Sequence, residues 1–230
     1  MDTKETTEVA LMGRTGVYRI LQNVFGNEPN QETIQLFIRE EGQAVLNQLS
    51  EVSEEYQLAL GMVFQVIEKG LEDESGFINI LSNDFTRLFV GPGPTEAGPW
   101  ESAYLNIDGA LFQQSTLKVR QAYVAQGMIP SSYPNAADDH IGIELDFMAN
   151  LAEKMANANR TVDIEVMRST LASSELFLDE HLLIWVPLFT DRLKNARHGS
   201  FYGTVADLLS IFLKLDRLLL EEINESLLLD

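Results

Sequence analysis

The stretch DDHIGIELDFMANLAEKM, Asp138 to Met155, carries the pattern that decides the fold. Ile141, Leu145, Met148, Ala152 and Met155 recur at alternating spacings of four and three. That is one face of an α-helix, because side chains three and four residues apart stack above one another. Asp138 or Asp139 stands where a carboxylate favours a helix N-terminus. A second stripe, His140, Glu144, Phe147 and Leu151, lies about 100° round the helix from the first. It mixes polar and aromatic groups, so two readings stand open. It is a recognition surface, or Phe147 belongs to the core and His140 satisfies a loop carbonyl.

The same period runs outward in both directions, and alternating strand patterns are scarce. Val17, Tyr18, Leu21, Val24 and Phe25 form one face, ended by Gly26 and Pro29. Ile34, Phe37, Ile38, Val45 and Leu49 predict a second helix with Asn30 as its N-cap. Tyr56, Leu60, Val63, Ile67 and Leu71 predict a third. Leu58, Met62 and Val66 make that helix apolar on other sides too, which predicts a central position. Phe77, Ile78, Leu81, Phe85 and Leu88 predict a fourth, stopped by Gly91 and Pro92. Ser115 can cap a short helix to about Gln126, closed by Gly127. Residues from Thr161 to about Ala196 read as helical, with Pro187 kinking or splitting them. Val205, Leu208, Leu209, Phe212, Leu215 and Leu219 define the last helix. The expectation is an all-α chain with eight or more helices in one globular domain spanning residues 1–230. A hinge at residues 128–138, between two helical halves, would permit domain swapping.

Composition narrows the function. Of the 230 residues, 45% are hydrophobic, which supports a real core. The chain has no cysteine, which rules out disulfides and thiolate chemistry. Sixteen basic against 35 acidic residues give a net charge of -19. A nucleic-acid binder needs the opposite sign, whereas a cationic partner would be steered in. The N-terminal MDTKETTEVALMG holds no apolar run of signal-peptide length. The longest uncharged helical stretch, Tyr56 to Ile67, is too short to cross a bilayer. These features predict a soluble, cytoplasmic protein without membrane insertion.

The segment GPGPTEAGPWESAY, Gly91 to Tyr104, is the least ordinary loop. It lacks the Gly-Lys-Ser/Thr ending of a phosphate loop, and its prolines remove the N–H groups such a cradle needs. His140 and Glu144 share a helical face but supply only two metal ligands, and His181 and His198 have no paired spacing. Ser102 with His140 and an acid would make a hydrolytic set, yet WESAY is not a nucleophile elbow and no sheet presents it. The residues therefore predict no catalytic group, no metal and no cofactor. A metal- or nucleotide-dependent hydrolase using His140 and Glu144 is the enzyme alternative.

Several segments taken together resemble the TorD/DmsD family: LFVGPGPTEAGPWESAY, STLKVRQAY, DDHIGIELDFM and HLLIWVPLFTDRLKNARHGSFYGTVADLL, in this order. The resemblance runs from about Tyr56 to the C-terminus and more loosely over the first two helices. It implies an all-helical cytoplasmic chaperone, monomeric or a domain-swapped dimer, that matures molybdopterin-containing oxidoreductases. Such a chaperone binds the twin-arginine signal peptide of its client, or the immature apo-subunit, until cofactor is inserted. Binding only the apo-enzyme body is the alternative within the family. Motif membership makes Leu88, Phe89, Pro99, Trp100, Asp139 and His140 the peptide-contacting positions, with Glu101, Tyr104 and Glu144 next. Trp100 and Phe89 would make apolar contacts, and Asp139 with Glu144 would meet the arginines bidentately. His140 would orient an acid or add pH sensitivity. The chain departs from the family at Ala136-Ala137, often Glu-Pro, and at Gln113, where some signal-peptide binders have glycine. The family is also linked to weak guanine-nucleotide binding, for which the sequence shows no site.

Overall fold

The computed structural model describes residues 3–92, 95–106, 114–129, 137–197 and 199–229. Among them there are helices and turns but no strand. The helices are α1 (Thr3–Gly26), α2 (Gln31–Ile38), α3 (Glu40–Asn47), α4 (Glu54–Gly70), α5 (Glu74–Phe85), α6 (Ser102–Leu105), α7 (Gln114–Ala125), α8 (Ile141–Thr161), α9 (Ile164–Phe177), α10 (Leu183–Asn195) and α11 (Ser200–Leu229). A 3-10 turn, Gln48–Glu51, follows α3, and another, Leu71–Asp73, follows α4. Two π turns, Thr86–Val90 after α5 and Leu178–Leu182 before α10, complete the set. No helix among the described residues is long and apolar enough to cross a membrane.

Local chemistry explains most boundaries. Asn30 caps α2 through its side chain, and Thr33 returns the bond to the Asn30 N–H, a reciprocal capping box. Gly91 and Gly127 hold φ values of 99° and 71°, which side chains disfavour, and both stop helices. The helix predicted through Ile34 to Leu49 is in fact broken at Arg39, whose φ and ψ of -66° and 148° are extended. The chain turns there so tightly that a Cβ on Gly42 would collide with the Leu36 carbonyl. Helix α7 begins at Gln114, so Ser115 is not its cap. The cap of α8 is His140, not Asp138 or Asp139. Between α9 and α10 the break is the Leu178–Leu182 π turn. It falls just before Pro187, whose missing N–H already removes one helical bond there.

Two long helices organise the core. Helix α8 packs along α1 on one side and α9 on another, while α11 receives α4 and α10. All five residues of the predicted α8 stripe are completely buried. So are Glu144 and Leu151 of the second stripe, and Phe147 is 4% exposed against Tyr123 and Phe177. From Glu144 onward that stripe is core, and only His140 at its start reaches the surface. Helix α4 is the reverse case. It was expected to be central, yet Leu58 and Met62 are exposed on its outer side because only α11 and short elements cover it.

The α1–α8 contact brings two backbones together where Gly26 meets Gly142. A Cβ on Gly26 would stand 3.2 Å from the Gly142 Cα, and one on Gly142 would press on the Gly26 backbone. This contact pins the N-terminus of α8, and with it His140. Deeper in the core, α1 is tied to α11 by the Arg14–Asp216 ion pair, which Tyr18 joins with a hydrogen bond of 2.6 Å. Elements from before and after residues 128–138 thus share one core. The hinge itself falls largely on residues 130–136, outside the described residues, as do Ala136, Gln113 and His198.

Candidate functional site

The loop and the α8 motif meet in space. The π turn after α5 closes with a 2.8 Å bond from the Gly91 N–H to the Thr86 carbonyl. The chain then folds back, with Glu96 and Ala97 donating to the carbonyls of Arg87 and Leu88. Leu88 and Phe89 end up buried beneath it, Phe89 edge-on to Phe85 and Tyr202. Next, Pro99–Glu101 runs antiparallel to Asp139–Ile141. Ile141 donates to the Pro99 carbonyl at 2.8 Å, and Glu101 to the Asp139 carbonyl at 3.0 Å. Trp100 and His140 are thereby bridged, their rings edge to face at 5.6 Å.

Asp139 holds this joint from inside. It is fully buried, and its two oxygens accept from the Ser102 N–H at 2.8 Å and the Thr116 hydroxyl at 3.1 Å. Three segments, the loop, α7 and the approach to α8, are therefore tied to one carboxylate. Asp138, also buried, pairs with Arg120 of α7, and the Tyr123 hydroxyl donates to its carbonyl at 2.9 Å. Below them lie Glu101, 2.9 Å from His181 Nδ1, and Glu144, which accepts from the Trp185 indole N–H at 2.9 Å. Tyr104 leans on Trp185, and the Arg192 guanidinium sits 4.6 Å above the Tyr104 ring.

Crowding four acids into so small a volume shifts the groups around them. Burial first, and the negative charge of Glu101 second, push the Glu144 carboxyl well above the ordinary range, against the Trp185 hydrogen bond. Burial lowers the His140 imidazole to about 4, with Asp139 opposing the shift. Its Nδ1 accepts the Gly142 N–H at 3.0 Å, which also requires an unprotonated nitrogen. His140 is therefore neutral near pH 7.

The signs predict a pH experiment. His140 binds its proton more readily unfolded than folded, so its contribution to stability is present above about 6.5 and lost as pH falls towards 4. Glu144 is the opposite case: its contribution is full below about 4.5 and lost as pH rises through its elevated folded value. Replacing Glu144 with Gln should therefore raise the melting temperature at pH 8 and leave pH 4 nearly unchanged. Melting curves across that range check it. A variant destabilised equally at both ends would refute the assignment.

The structure brings all nine positions singled out from the sequence into one joint, but in two layers. Leu88, Phe89, Pro99, Glu101, Asp139 and Glu144 are buried. Trp100, Tyr104 and His140 are half-buried and reach the outside. The arginine contacts assigned to Asp139 and Glu144 are corrected accordingly, because both carboxylates are enclosed and bonded to the protein's own donors. The same enclosure, a Ser102 hydroxyl without a partner, and the occupied His140 nitrogen leave no assembled hydrolytic set. Among the described residues no group of three or more acids and histidines is placed to hold a metal.

His181 stands in the sequence only as a histidine without paired spacing, and Trp185 and Arg192 lie outside the nine positions. A signal existed: His181 and Trp185 stand four apart in HLLIWVPLF, and a tryptophan in so apolar a run needs a partner for its N–H. Beside Tyr104 a cleft of about 750 Å³ opens to solvent between α6 and α10, with Leu188, Asp191 and Arg192 on its far wall.

Several known proteins are similar to this chain. The family model described as nitrate reductase delta subunit matches residues 51–191. The chaperone protein TorD of Vibrio atlanticus (strain LGP32) is 28% identical over 215 residues, 94% of this chain and 96% of that one. TorD of Aliivibrio fischeri (strain ATCC 700601 / ES114) is 32% identical over 136 residues, 59% of this chain and 62% of its own. A crystal structure described as a redox enzyme maturation protein from Archaeoglobus fulgidus superposes with a TM-score of 0.49 at 18% identity, covering 88% of this chain and 94% of that one. The curated relatives are named as chaperones, not as enzymes. The family match spans more than half of the chain and takes in the whole joint from Leu88 to Glu144, and the protein belongs to the nitrate reductase delta subunit family of TorD type.

Proposed function

We propose that the protein is a cytoplasmic chaperone for the maturation of a molybdopterin-containing oxidoreductase, binding its twin-arginine leader, its immature apo-subunit, or both, until cofactor is inserted. The observation that carries this reading is the Trp100–His140 bridge, where the two family motifs meet at the surface. Trp100 and Tyr104 offer apolar faces there, and the neighbouring cleft adds the exposed Leu188 and Asp191. The apolar part of a leader would lie across these groups, and the acidic chain would draw in its arginines. The buried acids support the surface from beneath by fixing the loop to α7 and α8.

Calorimetric titration of the leader peptide of a candidate client tests the proposal. Trp100→Ala is expected to weaken binding by about 1–3 kcal/mol, as for a partly buried interface aromatic. Asp139→Asn, acting through the joint, should lower stability and affinity together and leave the salt dependence of binding unchanged. Unaltered affinity in Trp100→Ala, with only a loss of thermal stability, would reduce Trp100 to a loop anchor. Deleting the leader from the client separates the two targets, because retained binding identifies the body.

A further inference from the structure

The π turn Leu178–Leu182 is gripped from two sides. It closes with a bond from the Leu183 N–H to the Leu178 carbonyl, five residues back, so it is a π-bulge between two α-helical stretches. Asp179 and His181, two residues apart, project to nearly opposite sides of it, the first exposed and the second buried. Outside, Nε of Arg217 on α11 meets both Asp179 oxygens, at 2.9 and 3.1 Å. Its Nη1 reaches Glu175 and Glu221, each at 3.1 Å. These charges form a network, which holds geometry better than an isolated surface pair does. Inside, the His181 ring lies 4.8 Å from that of Phe177, and its Nδ1 is 2.9 Å from Glu101.

Glu101 passes this grip on to the surface. Its carboxylate is enclosed near Glu144, and His181 is its partner. A buried carboxylate that loses its partner moves to water or takes up a proton. Meanwhile the Glu101 N–H donates to the Asp139 carbonyl at 3.0 Å, and its own carbonyl accepts the Tyr104 N–H at 3.0 Å. Trp100 precedes it directly. The backbone that carries both surface aromatics is therefore tied, through one side chain, to the π turn.

We propose that Arg217 and His181 are positioning residues of the joint: by holding the π turn between them they set the place of Glu101, and through it the orientation of Trp100 and Tyr104. The meaning of this for recognition rests on the chaperone reading above; the positioning itself does not. His181 is buried, and Arg217 lies on the outer side of the turn, away from Glu101.

The test reads Trp100 without any ligand. The chain has two tryptophans, so fluorotryptophan labelling gives two fluorine resonances, which Trp100→Phe assigns. His181→Leu should move the Trp100 resonance by more than its linewidth. His181→Gln, which keeps a donor for Glu101, should hold it near its original place. Adding Glu101→Gln to His181→Leu should also return it, because no charge then remains to be expelled. Arg217→Leu should move it in the same direction. The double variant Arg217→Leu/His181→Leu should move it no further than His181→Leu alone, since both act along one line. Arg39→Leu, which removes a surface pair with Glu32 elsewhere, should leave it in place. Affinity for the synthetic leader peptide should fall about two- to thirtyfold in Arg217→Leu, the range for coupling through a packed network. An unmoved resonance in Arg217→Leu, additive shifts in the double variant, or an equal shift in Arg39→Leu would overturn the proposal. If His181→Leu does not fold, Arg217→Leu at its part-exposed position decides alone. If the resonance shifts as described but the unaltered protein binds no leader, the recognition reading fails and the positioning stands.

Discussion

Asp216→Ala should lower the unfolding free energy by about 3–5 kcal/mol, the cost of leaving one partner of a buried ion pair without the other. Asp216 accepts from Nε and Nη2 along one edge of the Arg14 guanidinium and from the Tyr18 hydroxyl, and Arg14 is 2% exposed. Burial pulls the Arg14 pKa down, and the charge and hydrogen bonds of Asp216 more than restore it. Removing the carboxylate therefore strands a cation in the core, with only neutral groups, the Tyr18 hydroxyl and the Met155 sulfur, beside it. Replacing both members, Arg14→Met with Asp216→Leu, should cost far less, since the desolvation of the pair disappears with it. Urea denaturation reads both variants. A single substitution costing under about 1 kcal/mol would mean that Arg14 swings out to solvent instead of remaining buried.

Trp185→Ala should cost a similar amount, about 3–5 kcal/mol, through the cavity left by a fully buried indole. The site makes the loss more than volumetric. Trp185 lies 5.5 Å from the Tyr104 and Phe189 rings and supplies the hydrogen bond that Glu144 receives in the core. The other oxygen of Glu144 has no partner. Trp185→Phe keeps most of the volume and isolates the bond, at about 1–3 kcal/mol. That smaller cost should shrink when Glu144 is replaced by Leu, because no carboxyl then remains to be satisfied. Equal costs in the two backgrounds would show that the bond contributes nothing. Both losses are large against the roughly 5–15 kcal/mol that holds a typical domain together.

The consequences for function differ between the two sites. Arg14 and Asp216 lie away from the joint, so a tolerant double variant should still bind a leader. Trp185 supports Tyr104 directly, and its loss should reach the surface where Trp100 and Tyr104 meet solvent. This separates stability from recognition without any change at an exposed position.

The sequence by itself determined the helices and most of their ends. Apolar spacing of three and four residues located α1, α4, α5, α8 and α11, and Asn30, Gly91 and Gly127 marked ends by conformational needs that no neighbour has to supply. The family motifs were equally legible, and they named the nine residues that converge on the joint. Depth was not legible. Periodicity tells which positions share a face but not whether another element covers it, so Leu58 and Met62 read as core and are outside, while Glu144 and Asp139 read as surface and are inside. Their partners, Trp185 for Glu144 and Ser102 and Thr116 for Asp139, come from remote parts of the chain. Arg14 and Asp216 are 202 residues apart. A buried charge is permitted only where such partners arrive, and only the tertiary packing of α1, α7, α8, α10 and α11 brings them.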